Sequence, residues 1–356
     1  MPRIALIPGD GIGPEVMGAA RRVLERVTEV EGLDLEISQW DQLGADRFLR
    51  EGITITDDEF REISEEHDAA LLGALGDPRV PGNEHARDIL LGMRFRLDLY
   101  VNFRPCVLLA PELSPLKRVK VPLRLEVFRE NTEGLYTGVG GRFRKGTPHE
   151  IAVEEDINSY LGVERIVRAA FDFARARGRP DVTLVDKANA MRHAGGLWRE
   201  VFEDVGKTYP EVARKTMYVD AMAMDLVRRP ENYGVLVTSN LFGDILSDLA
   251  AELTGGLGLA PSANLHPGKF ALFEPVHGSA PDIAGEGKAN PIGAIRCVAL
   301  LLEHLEQPEA AERVEQSVAA SIAAGQTTPD LGGGLKTDEV GAWIADRYAA
   351  AATSGD

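Results

Sequence analysis

Apolar positions change their period along the chain, and the changes mark out its elements. Residues 3–7 form an apolar run that stops at Pro8-Gly9, which predicts a strand and a turn. Pro14 stands where a first helical residue would, and Val16, Val23 and Val27 fall on one face of the helix that follows. Leu35 and Ile37 alternate with polar residues as a strand does. Thr56-Asp57-Asp58-Glu59 has capping-box spacing ahead of another helix, and Asp68 to Gly73 reads as a buried parallel strand. This alternation predicts the α/β class.

The middle of the chain reads differently. Val121 to Phe128 predicts a strand, whereas residues 138–160 carry Gly140-Gly141 between runs with no helical period and predict an extended arm or hairpin. From Val163, the residues Ile166, Val167, Ala170, Phe171 and Ala174 repeat as a helix that Gly178 stops, with Pro180 beyond. Strand signals return at Leu184-Val185, at Met217-Tyr218-Val219 and at Val235 to Val237. A Gly/Pro-rich loop is expected over 274–291, then helices near 292–306, 309–324 and 338–350. No internal repeat or low-complexity linker is present.

Size and charge narrow the picture. At 356 residues the chain exceeds the roughly 250–300 at which one hydrophobic core stops growing, so two lobes are expected. With 39 Lys+Arg against 56 Asp+Glu, the net charge of −17 argues against nucleic acid or an anionic membrane as partner. Apolar content of 44% suits a globular enzyme, and apolar runs such as Val298 to Leu302 fall far short of the roughly 18 residues that a membrane span needs. Pro8-Gly9-Asp10 follows the first strand too soon for a signal peptide, and Cys106 and Cys297 cannot make a disulfide framework, so a cytoplasmic setting is expected. Only nine of the basic residues are Lys, which fits either salt adaptation or an Arg-favouring genome.

Four stretches carry candidate chemistry. Gly9-Asp10-Gly11-Ile12-Gly13-Pro14-Glu15 lies between a strand and a helix, as a phosphate-binding turn or a purely structural one would. Val16 occupies the place of the third glycine of the dinucleotide fingerprint, which excludes a standard Rossmann assignment. Asp244 and Asp248 are spaced i,i+4 on one helical face. Two carboxylates in a first turn favour the helix dipole, and paired acidic oxygens also suit Mg²⁺ or Mn²⁺, with Asp220 a third ligand. The loop from Glu274 to Pro291 is long for an idle connection; its backbone N–H groups could cradle a pyrophosphate, and Asp282 could accept both ribose hydroxyls. Arg94, Arg104 and Arg129 lie near predicted strand ends, with Tyr136 soon after, although among thirty arginines any one is most simply a surface residue. Lys187 follows a buried strand, and it too reads equally as a surface side chain; His277 and Tyr218 carry no catalytic role unaided.

Together these segments resemble the metal-dependent β-decarboxylating dehydrogenases, the family of 3-isopropylmalate, isocitrate, homoisocitrate and tartrate dehydrogenases. The resemblance covers nearly the whole chain. It runs from Pro8 to Glu15, through Asn102-Phe103-Arg104-Pro105 and Arg129-Glu130-Asn131-Thr132-Glu133-Gly134-Leu135-Tyr136, to the Asn240–Leu249 and Glu274–Pro291 motifs. It implies a two-domain α/β fold that is not a standard Rossmann fold. Residues 1–98 and 255–356 would form a cofactor-binding domain, and 99–254 a central domain with a homodimer interface and an arm at about 138–160. It also implies an active site shared across the dimer, with Lys187, Asn189 and Asp220 serving the neighbouring subunit.

In that resemblance Arg94, Arg104 and Arg129 hold the carboxylates of a malate-type substrate, Lys187 is the base for its hydroxyl, and Tyr136 protonates C3 after loss of CO₂. Asp220, Asp244 and Asp248 hold Mg²⁺ or Mn²⁺. Glu274, His277, Gly278, Ser279, Ala280, Asp282, Ile283 and Asn290 hold the cofactor, with Asp282 favouring NAD over NADP because it would repel a 2′-phosphate. Leu90 and Leu91 match the aliphatic pair of the isopropyl pocket, which makes 3-isopropylmalate the expected substrate and leucine biosynthesis the expected setting. Tartrate or D-malate comes next, then homoisocitrate or isocitrate. Arg87 stands where some isopropylmalate relatives have a glutamate and could pair with a third carboxylate. A catalytically silent subunit or a binding protein would be expected to lack one of Lys187, Tyr136, Asp220, Asp244 or Asp248, and all five are present.

Overall fold

A computed structural model describes residues 1–354; Gly355 and Asp356, the end of the 255–356 segment, lie outside the described residues. Its first unit follows from local sequence. Strand β1 (Arg3–Ile7) leads into helix α1 (Gly13–Glu31), which opens on Pro14 and buries Val16, Ala20, Val23, Leu24 and Val27. After β2 (Glu36–Gln39) and α2 (Ala45–Glu51), helix α3 (Asp57–Glu66) begins with the capping box read from sequence, Thr56 and Glu59 each satisfying the other's backbone N–H. Strand β3 (Ala69–Leu72) is wholly buried. A short helix α4 (Glu84–Ala86), a π-helical turn over Arg87–Leu91 and helix α5 (Gly92–Arg96) follow.

Strands β4 (Val101–Val107) and β5 (Arg124–Glu130) come next. The second starts later than the pattern from Val121 predicts, because Pro122 has no N–H to give a ladder. The arm at 138–160 is a hairpin of β6 (Gly140–Phe143) and β7 (Ile151–Glu154). It ends at Ser159, whose Oγ accepts from Gly162 N and so starts helix α6 at Tyr160, ahead of Val163; α6 runs to Ala176. Then come β8 (Asp181–Asp186), α7 (Arg192–Gly206), β9 (Ala213–Tyr218), α8 (Val219–Arg228), β10 (Val235–Thr238) and α9 (Asn240–Leu253). Val219 is thus not in a strand: Tyr218 is the extended N-cap and Val219 the first helical residue. The chain closes with β11 (Pro261–Leu265), β12 (Ala271–Pro275), α10 (Ile292–His304), α11 (Pro308–Ala323) and α12 (Thr337–Ser354). Glu274 and Pro275 therefore belong to a strand and not to the loop expected from 274.

One ten-stranded mixed sheet runs in the order β2-β1-β3-β12-β11-β4-β5-β10-β8-β9. Strands from residues 1–98 and 255–356 occupy one half and those from 99–254 the other, meeting where β11 pairs antiparallel with β4. The sheet is parallel at its two ends, and helices cover it, as βαβ crossovers require. No helix among the described residues is long and apolar enough to cross a membrane.

Both cysteines are buried and free, and burial pushes each thiol up to about 12. In the native protein neither should react with an aromatic disulfide reagent at pH 8, whereas two thiols should titrate after denaturation. Fast labelling of the native chain would contradict the packing around Cys106 and Cys297.

Candidate active site

Three arginines that composition alone would leave at the surface are buried: Arg94, Arg104 and Arg129 are 5%, 7% and 1% exposed. A buried guanidinium must be paired, and each one is. Arg94, which sits in α5 and not at a strand end, donates from Nη2 to Glu274 Oε1 at 2.7 Å. Arg104, on β4, donates from Nη1 to Ser247 Oγ at 2.8 Å and to Asp248 Oδ1 at 3.0 Å. Arg129, on β5, donates to Asn240 Oδ1 from Nε and Nη2 at 3.0 and 2.8 Å, and its Nη1 pairs with Asp244.

Helix α9 brings the acidic partners. It begins at Asn240, so Asp244 and Asp248 lie in its second and third turns; there is no acidic residue in its first turn, and the dipole explanation of the pair falls away. The helix can lie this close because residue 243 is glycine: a Cβ there would stand 2.6 Å from Arg129 Cβ. Tyr136 sits in a 3₁₀ turn (Leu135–Thr137), donates to Asp244 Oδ2 at 3.1 Å and has the Arg129 guanidinium 5.0 Å over its ring. Burial alone would raise the Asp244 carboxyl, but Arg129 and Arg104 outweigh it and hold the group below its ordinary range. Burial raises the Asp248 carboxyl, with Arg104 opposing and the Asp244 charge adding to the rise. Tyr136 is raised by burial, against the pull of Arg129.

These side chains surround a cavity of about 320 Å³, lined by Leu90, Leu91, Arg94, Arg104, Arg129, Tyr136, Asp244, Glu274, His277 and Gly278, together with Ser262. Leu90 and Leu91 come from the π-helical turn and add apolar surface to the cavity that the three cations line. Arg94 Nε and Arg104 Nε are buried without a hydrogen-bond partner, and both belong to residues that line the cavity. Unmet donors beside a cavity of this size suit an anionic ligand. Asp244 and Asp248 offer the hard oxygens that a small divalent cation takes.

The loop after β12 folds over the turn after β1. Ser279 O accepts from Ile12 N at 2.8 Å, and only glycine at 11 permits it: with φ +58°, a Cβ there would lie 2.0 Å from that carbonyl. Ala280 adopts φ 37°, and Ile283 packs against the core. Asp282 is exposed and has no partner among the described residues, while Lys288 pairs with Glu286 at 2.6 Å and so points its charge elsewhere. Burial lowers the His277 imidazole, and its Nε2 has no partner. The Asn290 side chain is committed: it caps α10 through Ile292 N at 3.0 Å and donates to Asp330 at 2.9 Å.

Lys187, Asn189 and Asp220 do not join this group. Lys187 Nζ donates to Asp220 Oδ1 at 2.6 Å, beside a separate small recess that includes Asn158, Trp198 and Phe242, and Asn189 is exposed. Among the described residues, no three His, Cys, Asp or Glu side chains converge as a metal site.

Several residues that hold the site together had no such role assigned in the sequence reading, although Asp10, Asn102 and Asn131 lie within its motifs. Asp10 accepts from Ala45 N at 2.7 Å, Gly76 N at 2.9 Å and His85 Nε2 at 2.8 Å, tying the β1 turn to the segment that carries Leu90 and Leu91. Asn264, with Asn102 and Asn131, runs beneath the cavity. The available signal was polar Ser262 and Asn264 alternating inside a buried strand.

Residues 3–344 match the isocitrate/isopropylmalate dehydrogenase family. A 3-isopropylmalate dehydrogenase of Thermobifida fusca is 46% identical over 350 residues, covering 98% of both chains. One of Leifsonia xyli is 49% identical over 328 residues, 90% of this chain and 91% of its own. Among solved structures, an isocitrate dehydrogenase of Methylococcus capsulatus superposes with a TM-score of 0.87 at 38% identity, covering 98% of this chain and 100% of that one. A β-decarboxylating dehydrogenase of Thermococcus kodakarensis gives 0.80 at 38% identity, covering 98% and 96%.

Gly243→Ala should displace Arg129 from Asn240 and Asp244. A shift of that kind is expected to lower kcat/KM by roughly 10- to 100-fold while circular dichroism stays native. A folded Gly243→Ala variant with unchanged kcat/KM would contradict the placement of Arg129.

Proposed function

Because the chain belongs to the isocitrate/isopropylmalate dehydrogenase family, we propose that it oxidises 3-isopropylmalate with NAD and a divalent metal, releasing 4-methyl-2-oxopentanoate and CO₂ for leucine biosynthesis in the cytoplasm. The observation that carries this reading is the cavity itself, whose lining combines the aliphatic Leu90 and Leu91 with Arg94, Arg104 and Arg129. A malate bearing an isopropyl group matches both surfaces: burial of the alkyl group is favoured by about 0.8 kcal/mol per CH₂, and a carboxylate against the leucines would be costly.

Arg94, Arg104 and Arg129 grip the two carboxylates and so fix which hydrogen of C2 faces the cofactor. Asp244 and Asp248 hold Mg²⁺ or Mn²⁺, and Asp220 of a second copy completes the oxygen set. Exposed Met224, Val227 and Ile245 on α8 and α9, with Phe143 and Ile151 on the hairpin, support an isologous dimer through these faces. When bound, the metal supplies Lewis acidity at the C2 oxygen and NAD⁺ the hydride acceptor. Lys187 of the second copy takes the hydroxyl proton. As the C3–carboxylate bond breaks, Tyr136, a phenol that is protonated at neutral pH, delivers its proton to C3. Glu274, His277, Gly278, Ser279, Ala280 and Ile283 line the cofactor's path, and Asp282 accepts the ribose hydroxyls. Asn290 supports that loop from beneath, and Asn189 serves the neighbouring site. The competing reading is a malate with an anionic C3 group, favoured by Arg87, which is exposed and has no acidic partner.

An initial-rate panel with Mn²⁺ across 3-isopropylmalate, D-malate, tartrate, isocitrate and homoisocitrate tests the substrate. The highest kcat/KM is expected for 3-isopropylmalate; a higher value for any other acid overturns the assignment. NAD should exceed NADP by roughly 10-fold or more in kcat/KM, since an unpaired Asp282 repels a 2′-phosphate. Activity should vanish in excess chelator and return with Mn²⁺. Asp248→Asn is the cleaner metal variant because Asp248 pairs with Arg104 alone, whereas Asp244 meets Arg129, Arg104 and Tyr136; it should lower kcat/KM roughly 100-fold or more with little change in Tm.

A further inference from the structure

A chain of buried side chains crosses the sheet under the cavity. Asn264 on β11 lies opposite Asn102 of β4 on one side and Leu272 of β12 on the other. Its carbonyl oxygen accepts from Asn102 Nδ2 and from Asn131 Nδ2, each at 3.0 Å. Its amide nitrogen donates to Glu274 Oε1 at 2.9 Å, the same oxygen that takes Arg94 Nη2 at 2.7 Å. Asn102 also donates to Ser262 Oγ at 2.9 Å and Asn131 to Leu99 O at 2.8 Å. Two donors on one side fix which end of the Asn264 amide faces Glu274.

Stability does not call for this arrangement. Asn264 is fully buried, and an apolar side chain would fill the strand without desolvating an amide. What the bonds do is geometric. Asn102 stands two residues before Arg104 on the same face of β4, and Asn131 two residues after Arg129. Glu274 holds Arg94. Among the described residues, Asn264 is what joins the Asn102–Asn131 pair to the Glu274–Arg94 pair by side-chain hydrogen bonds, and it stands where the two halves of the sheet meet.

We propose that Asn264 is a positioning residue for the substrate: through Glu274 it sets Arg94 at a fixed distance from Arg104 and Arg129, and so sets the spacing of the two carboxylate grips. This rests on the dehydrogenase reading only in taking a malate-type dicarboxylate as ligand.

The test compares full-length wild type with Asn264→Ala, Glu274→Gln and the double variant, using the acid that the wild type prefers, alongside Tm. Asn264→Ala should raise KM for the hydroxy acid roughly 10-fold, as the loss of one well-placed hydrogen bond would, leave KM for NAD within about twofold, and lower kcat less than it raises KM. In the Glu274→Gln background, Asn264→Ala should add little to that KM, because both act through Arg94. An unchanged KM for the hydroxy acid, equal rises for acid and NAD, or full additivity with Glu274→Gln would overturn the proposal. If Asn264→Ala does not fold, Asn264→Ser carries the same comparison, since its hydroxyl cannot bridge both sides. Calorimetric binding of 3-isopropylmalate separates the two readings. A wild type that binds it without turnover refutes the dehydrogenase assignment and still allows the Asn264 comparison by Kd; a wild type that binds neither it nor any other acid of the panel overturns both.

Discussion

A guanidinium buried to 1% exposure, that of Arg129, imposes the strictest local demand on this molecule. Burial pulls it well below its ordinary range, with Arg104 and Arg94 pushing the same way, so it persists as a cation only where anionic and carbonyl oxygens meet it. Asn240 and Asp244 provide those oxygens, both from α9, and Tyr136 lays its ring beneath. Meeting that demand requires glycine at 243, sets the start of α9 against β5 and orients the turn carrying Tyr136. The same contacts place the Asp244 carboxylate, the Tyr136 phenol and two further arginines around one cavity.

How much of this the sequence discloses depends on range. The capping box at Thr56 and Glu59, the buried face of α1 and the hairpin at 138–160 are written within a few residues, and each is found where its pattern predicts. The burial of the arginines is not local. Arg94 meets a glutamate 180 residues away, and Arg104 an aspartate 144 away, so composition reads them as surface residues and tertiary pairing overrules it. Asn264 shows in sequence only as a polar residue inside a buried strand, and its role does not, because its partners lie on three other segments. Val219 misled because a β-branched residue beside a real strand continues the apolar run, while the helix start is set by the extended backbone of Tyr218. The motif resemblance supplied what physics applied to single segments could not, the grouping of Asp244, Tyr136 and the arginines.

One chain forms only part of the proposed chemistry. The arginines, Tyr136, Asp244 and Asp248 cluster together, whereas Lys187 and Asp220 pair with each other beside a different recess. In the dimer proposed above, Lys187 and Asp220 of the second copy would serve this cavity, so that each subunit would complete the other.

Subunit complementation tests that division most directly. A Lys187→Ala variant and a Tyr136→Phe variant, each inactive as a homodimer, would be co-expressed with different affinity tags and the doubly tagged dimer isolated. A shared site predicts that this mixed dimer regains close to half of wild-type kcat, because one of its two sites receives both native groups. A mixed dimer as inactive as its parents would contradict it and place Lys187 and Tyr136 in the same subunit's site.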